Sequence, residues 1–135
     1  MEKSASGQCK ERPAKLPVWQ PVCHLDDLVP DAGVAVRAHG AQVAVFLIDD
    51  RLYAIDHVDP FCGAAVLGRG IVGELQGRPV VASPMYKQHF FLDTGECMED
   101  ADVRVCCWPA RLAPGGVLQI ACPGADISME HSHAA

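Results

Sequence analysis

The sequence predicts an all-β domain, an antiparallel sandwich or barrel with two longer loops at one end. Three observations carry that prediction. Short runs rich in β-branched and aromatic residues alternate with turn residues at close spacing. No stretch of ~10–15 residues shows the amphipathic repeat of a helix, which excludes parallel βαβ folds. Half of the 135 residues are hydrophobic, enough for the core of one domain.

Residues 1–16 are polar and lack periodicity, so a flexible tail is expected there. The β domain is expected at 17–122 and a second tail at 123–135. That second tail carries His131 and His133, which read as an incidental pair rather than a metal site. Residues 19–23 form the first strand. Residues 24–28 make one helical or turn segment, stopped by Pro30 and Gly33. Strands at 33–37 and 42–48 flank the turn-prone His39-Gly40. Val43 to Ile48 is apolar at every position, so this strand is expected to be buried on both faces. Asp49-Asp50-Arg51 turns the chain into a strand at 52–56. An irregular stretch, 57–70, follows. Strands at 71–75 and 79–83 join across Gln76-Gly77-Arg78, and 89–93 turns back at Thr94-Gly95. A last pair is expected between 103–108 and 117–121, joined around Pro114-Gly115-Gly116.

The net charge of −6, with only 11 Lys and Arg, removes the counterion-release term that drives binding to phosphate backbones. Nucleic acid is therefore an unexpected partner, and anionic membranes are disfavoured for the same reason. No apolar run approaches the ~20 residues needed to span a bilayer. The N-terminal MEKSASGQCKERPAK has no apolar core of a secretory signal, so a cytoplasmic location is expected. Thiols stay reduced there. The seven cysteines (9, 23, 62, 97, 106, 107 and 122) accordingly read mostly as small buried hydrophobes.

Loops on a rigid β scaffold concentrate function. The first reads Asp59-Pro60-Phe61-Cys62-Gly63-Ala64-Ala65-Val66-Leu67, and the second Ser83-Pro84-Met85-Tyr86-Lys87-Gln88-His89-Phe90. This pair resembles the Rieske family, in which C-P-H-x-G-A-x-L and C-P-x-H-G-x-x-F loops each give one Cys and one His to a [2Fe–2S] cluster. Pro60, Gly63, Ala64, Leu67, Pro84 and Phe90 keep the framework. The ligand positions hold Asp59, Phe61, Ser83 and Tyr86 instead. A Rieske centre takes two thiolates on one iron and two imidazoles on the other. Phenylalanine has no lone pair, and oxygen donors replace thiolate poorly on such clusters. No cluster and no metal are expected. His57 with Cys62, and His89 with Cys97, lack the tight spacing of stand-in ligands. Cys106 and Cys107, adjacent in an expected strand, would point to opposite faces and cannot chelate together. There is no catalytic motif such as G-x-G-x-x-G, a P-loop, H-E-x-x-H or G-x-S-x-G. Asp59 is expected to accept hydrogen bonds within its own loop.

Three segments narrow the resemblance: His57-Val58-Asp59-Pro60-Phe61, the run 82–90, and Asp93-Thr94-Gly95-Glu96-Cys97-Met98-Glu99-Asp100. Over 18–121 the chain is similar to the small subunits of assimilatory NAD(P)H-dependent nitrite reductases, Rieske-like domains without cluster ligands. The resemblance implies a non-catalytic, non-redox subunit with no cofactor of its own. Its partner would be a large subunit carrying FAD, an iron–sulfur cluster and sirohaem, which reduces nitrite to ammonium. Lys87, Gln88, His89, Cys97, Met98, Glu99 and Asp100 are the candidate partner contacts. The alternatives are a free-standing interaction or regulatory module and a genuine Rieske ferredoxin.

Overall fold

The computed structural model describes residues 18–85 and 87–123. The tail expected at 1–16, that expected at 123–135 apart from Pro123, with His131 and His133, and also Tyr86, lie outside the described residues. Nine strands occur among those described: β1 (Gln20–His24), β2 (Gly33–Ala38), β3 (Ala41–Ile48), β4 (Arg51–Asp56), β5 (Ile71–Leu75), β6 (Arg78–Ala82), β7 (His89–Phe91), β8 (Ala110–Ala113) and β9 (Val117–Ile120). They form three antiparallel sheets in the orders β1-β9-β8, β2-β3-β4 and β5-β6-β7, and do not close into one barrel. Helical structure among the described residues is limited to 3₁₀ turns at Leu25–Asp27, Leu67–Arg69 and Pro114–Gly116.

Three hairpins close with two-residue turns, His39-Gly40, Asp49-Asp50 and Gln76-Gly77, between the facing pairs Ala38/Ala41, Ile48/Arg51 and Leu75/Arg78. Both central residues of each turn have positive φ. That is the geometry whose twist matches the flanking strands, and Asn, Asp and Gly reach it most cheaply. Asp and Gly supply four of the six central positions here.

β3 separates two cores. Ala44 and Phe46 face one side, with Ile55, Leu67, Val81, Phe90, Leu92, Cys97 and Val105. Val43 and Val45 face the other, with Leu28, Ala38, Ala54, Leu118 and Ile120. Side chains alternate along a strand, so a run with core on both faces must be apolar throughout. Burial is complete for Val43 to Phe46, whereas Leu47 and Ile48 are half-buried as the strand runs out to its turn.

The chain departs from expectation after residue 100. Residues 103–108 form no strand and do not pair with β9. They run as an extended stitch held by single bonds: Cys97 N–H to Val103 O, Val105 N–H to Gly95 O, Asp56 N–H to Cys106 O, and Trp108 N–H to Ala54 O. Asp56 closes this stitch, accepting from Cys106 N–H (2.9 Å) and Trp108 Nε1–H (2.9 Å). The hairpin partner of β9 is β8, which begins just past Pro109. The cysteine expectation also needs correction. Cys97 and Cys106 are buried, but Cys23, Cys62, Cys107 and Cys122 are only half-buried, and Cys106 is disulfide-bonded.

β4 and β6 position the functional end. β4 runs from the Asp49-Asp50 turn into the first loop, and β6 runs from the Gln76-Gly77 turn into the second. The two loops therefore sit together at one end and the two turns at the other.

Candidate functional site

The loops are built alike at matching described positions. Asp59 and Ser83 each precede a proline, which fixes φ and has no N–H to offer. The next amide, two residues on, is therefore the first that needs an acceptor, and the side chain supplies it. Phe61 N–H donates to Asp59 Oδ1 (2.8 Å), and Met85 N–H to Ser83 Oγ (3.3 Å). Asp and Ser cap turns in this way. Four residues on, Gly63 N–H donates to Asp59 O (2.7 Å) and Lys87 N–H to Ser83 O (3.0 Å). Five residues on, Ala64 O accepts from Asp59 N–H (2.8 Å) and Gln88 O from Ser83 N–H (2.9 Å). Gly63 and Lys87 hold the same left-handed backbone, at φ 76° and 68°.

The two loops then meet through their capping side chains. Ser83 Oγ–H donates to Asp59 Oδ2, joining residues 24 positions apart in the chain. Both residues are fully buried. A buried carboxylate is tolerated only when its lone pairs are used, and Asp59 uses one on its own loop and one on the other.

Phe61 turns inward. Its ring packs on the first core with its centroid 6.2 Å from that of Phe90. His57, buried, braces the start of the first loop: its Nδ1 accepts from Gly68 N–H (3.0 Å) and its carbonyl accepts from Val66 and Leu67. Burial, with help from Arg69, lowers the affinity of this imidazole for a proton. Cys62 lies half-buried in the loop.

Beside the second loop, Met98 N–H donates to His89 O (2.8 Å), bringing the 97–100 run alongside. Glu99 clamps His89 with both oxygens, accepting from its backbone N–H (2.8 Å) and meeting ring Nδ1 at 2.6 Å. Partial burial opposes ionisation of Glu99, but these bonds outweigh it and its pKa lies below the usual carboxylate value. Cys97 is buried beneath, its thiol 3.7 Å from Glu99 Oε1 and its pKa raised mainly by burial. Asp100 closes its own turn, accepting from Asp102 N–H at 3.0 Å. Of the sequence candidates, Lys87, Met98 and Glu99 are exposed and Gln88, His89 and Asp100 half-buried. Val58 (36% exposed), Met85 (51%) and Met98 (47%) present apolar surface around the joined loops.

The donor set does not fit a [2Fe–2S] cluster. The residues at the two cysteine positions are oxygen donors already hydrogen-bonded to each other, and the first imidazole position holds a phenyl ring packed against the core. Among the described residues, no three His, Cys, Asp or Glu side chains converge as a metal-ligand set. Sequence reasoning gave Asp59 its role within its own loop but missed its bond to Ser83. The repeated Asp-Pro and Ser-Pro were the available signal.

Residues 18–121 match the Rieske-like [2Fe-2S] domain family, so the fold and the paired loops define a Rieske-like domain with altered ligand positions. The chain is 45% identical over 101 residues to the nitrite reductase (NADH) small subunit of Salmonella typhimurium, an alignment covering 73% of this chain and 94% of that protein. The chain belongs to this small-subunit family. The crystal structure of a Mycobacterium tuberculosis protein, assigned as an NADH-dependent nitrite reductase small subunit, superposes with a TM-score of 0.75 at 48% identity, covering 79% of this chain and 96% of that one. The nitrite reductase [NAD(P)H] large subunit of Klebsiella oxytoca contains a segment 37% identical over 99 residues, 73% of this chain and 10% of that protein.

Proposed function

We propose that this chain is the accessory small subunit of a cytoplasmic NAD(P)H-dependent nitrite reductase serving nitrate assimilation. It carries no redox group itself and supports a large subunit in which FAD, an iron–sulfur cluster and sirohaem perform the reduction of nitrite to ammonium. The observation that carries this reading is the Asp59–Ser83 bond, which spends both cysteine-position side chains on each other in a member of the small-subunit family. A domain without electron-carrying ligands contributes by binding and by shaping its partner. The Klebsiella oxytoca large subunit supports that partner, because it holds a segment like this chain within one polypeptide.

The contact face in this reading is the loop end: Lys87, Gln88, His89, Met98, Glu99 and Asp100, with Cys97 underneath. Exposed methionines beside fixed polar groups suit an interface, since the thioether adapts its shape while the His89–Glu99 pair holds register. Co-expression of the large subunit with and without this chain tests the role. Co-purification and a rise in NAD(P)H-dependent nitrite reduction are expected. Equal activity of the large subunit alone, with no co-purification, would reject it. The isolated chain is expected to be colourless and free of inorganic sulfide, and to reduce no nitrite with any donor.

A further inference from the structure

We infer that the Asp59–Ser83 hydrogen bond takes over the mechanical role of a metal centre, locking the two loops into one cooperative unit whose face the partner reads. The link to the partner rests on the accessory-subunit reading above; the locking does not. In a Rieske centre the first and second loop cysteines share one iron, so that iron ties the loops together. Here the residues at those two positions are joined directly, with a proton between two oxygens.

Three features make this bond a lock rather than an incidental contact. Each partner is the capping residue of its own loop, so each loop's i+2 amide depends on the same side chain that makes the cross-link. Each partner's own N–H and C=O also close its loop at the i+4 and i+5 positions. Both side chains are wholly buried, so water cannot replace a lost partner without opening the loops. A break on either side therefore frees both loops. Asp59 and Ser83 act as positioning residues: neither is exposed to touch a partner, while Met85 and Lys87, which they hold in place, are exposed.

The test uses the full chain and follows amide exchange by NMR at Gly63 and Lys87, the i+4 donors of the two loops. Ser83→Ala removes only a hydroxyl and is expected to raise exchange about tenfold at Lys87 and also at Gly63, in the loop it does not occupy. Asp59→Ala is expected to do the same in both loops, and the double variant no more than the worse single one. Asp59→Asn has one acceptor oxygen for two donors, Phe61 N–H and Ser83 Oγ–H, and is expected to raise exchange in both loops, by less than Asp59→Ala. Exchange at Val45, in the middle of β3, should not change. Affinity for the large subunit should fall in step with loop exchange. Acceleration confined to the substituted loop, or singles that multiply in the double variant, would overturn the lock. Coupled exchange with unchanged affinity would overturn the claim that the partner reads this face. Absence of binding by the wild-type chain would instead strike the accessory-subunit reading and leave the coupling intact. If Asp59→Ala does not fold, the cross-loop effect of Ser83→Ala decides alone.

Discussion

The two ends of this molecule solve the same problem, how to carry the chain from one strand to the next, by opposite means. At the turn end, Asp49-Asp50 and Gln76-Gly77 reverse it in two residues each through positive φ. That end is open: two adjoining cavities of about 560 and 640 Å³ share Arg51, Tyr53, Gly77 and Pro79. At the loop end, the connection takes many residues and relies on buried polar side chains, with Asp59, Ser83 and His57 the buried polar residues among those described. Local backbone preference suffices for the first solution. The second holds only because distant parts of the chain meet, so it should fail sharply when one part is changed.

The largest expected contrast is between two glycines. A Cβ at Gly70, where the first loop rejoins β5, would lie 2.4 Å from Ala82 O and 2.6 Å from Val81 Cγ2. The carbonyl belongs to the β5–β6 ladder and cannot rotate away, so Gly70→Ala is expected to cost about 3 kcal/mol in urea denaturation. Gly77 has nothing within 4 Å of its Cβ position and a φ of +77°. Gly77→Ala should cost only the left-handed backbone penalty, about 1 kcal/mol. Equal costs would mean that the loop end is not the tightly determined one.

Asp59→Ala comes next. It strands the Ser83 hydroxyl and the Phe61 amide in a buried site, and a loss of about 2 kcal/mol is expected. An exposed carboxylate toward the turn end, Glu74→Ala on β5, should stay within about 0.5 kcal/mol. A loss for Asp59→Ala as small as that for Glu74→Ala would remove the distinction between the ends.

How much of this contrast the sequence revealed follows from the same physics. The two-residue turns were legible because their signals are local: Asp49-Asp50 and Gln76-Gly77 at the turn end, and His39-Gly40 at the other end of β3, each carry their geometry within two residues. β3 was legible because six consecutive apolar residues demand two buried faces. β8 was missed because Ala-Arg-Leu-Ala contains no β-branched or aromatic residue and owes its strand to pairing with β9. The 103–108 run was misread for the converse reason. Its Val and Cys content suits a strand, but its backbone bonds go to Ala54, Asp56, Gly95 and Cys97 rather than to one ladder. At the loop end, the X-Pro turns could be read, whereas a bond between side chains 24 residues apart depends on the register of two separate sheets. The disulfide at Cys106 had no signal that an odd cysteine count could supply.

The pH response separates the ends further. His57 is buried at the loop end with a lowered pKa, caused first by desolvation and then by Arg69. The unfolded chain therefore takes up a proton more readily than the folded one, and stability falls as pH drops below the unfolded value of about 6.5. The fall continues down to the lowered folded pKa and then levels. Thermal denaturation between about pH 7.5 and 5 should show this slope. His57→Asn keeps an acceptor for Gly68 N–H without a titrating ring, and should flatten it. An unchanged slope in that variant would place the proton uptake elsewhere.

The smallest effect is expected from the turn end's one bidentate ion pair among the described residues. Arg78 reaches both oxygens of Asp93, at 3.0 and 2.8 Å, and its guanidinium lies 3.8 Å from the Phe91 ring centroid. The hydrogen bond from Arg78 holds the Asp93 carboxyl below its usual pKa, with burial a smaller opposing influence. The pair is about one-third exposed on each side, so water and salt screen it. Asp93→Asn should lower the denaturation midpoint slightly in dilute buffer and not at all in about 1 M sodium chloride, where charges are screened within about 3 Å. Asp59 makes its bonds where neither water nor salt penetrates, so the loss on Asp59→Ala should be the same in both buffers. Salt thus distinguishes the ends independently of the size of either loss: a salt-sensitive Asp59→Ala, or a salt-insensitive Asp93→Asn, would show that burial is not what sets them apart.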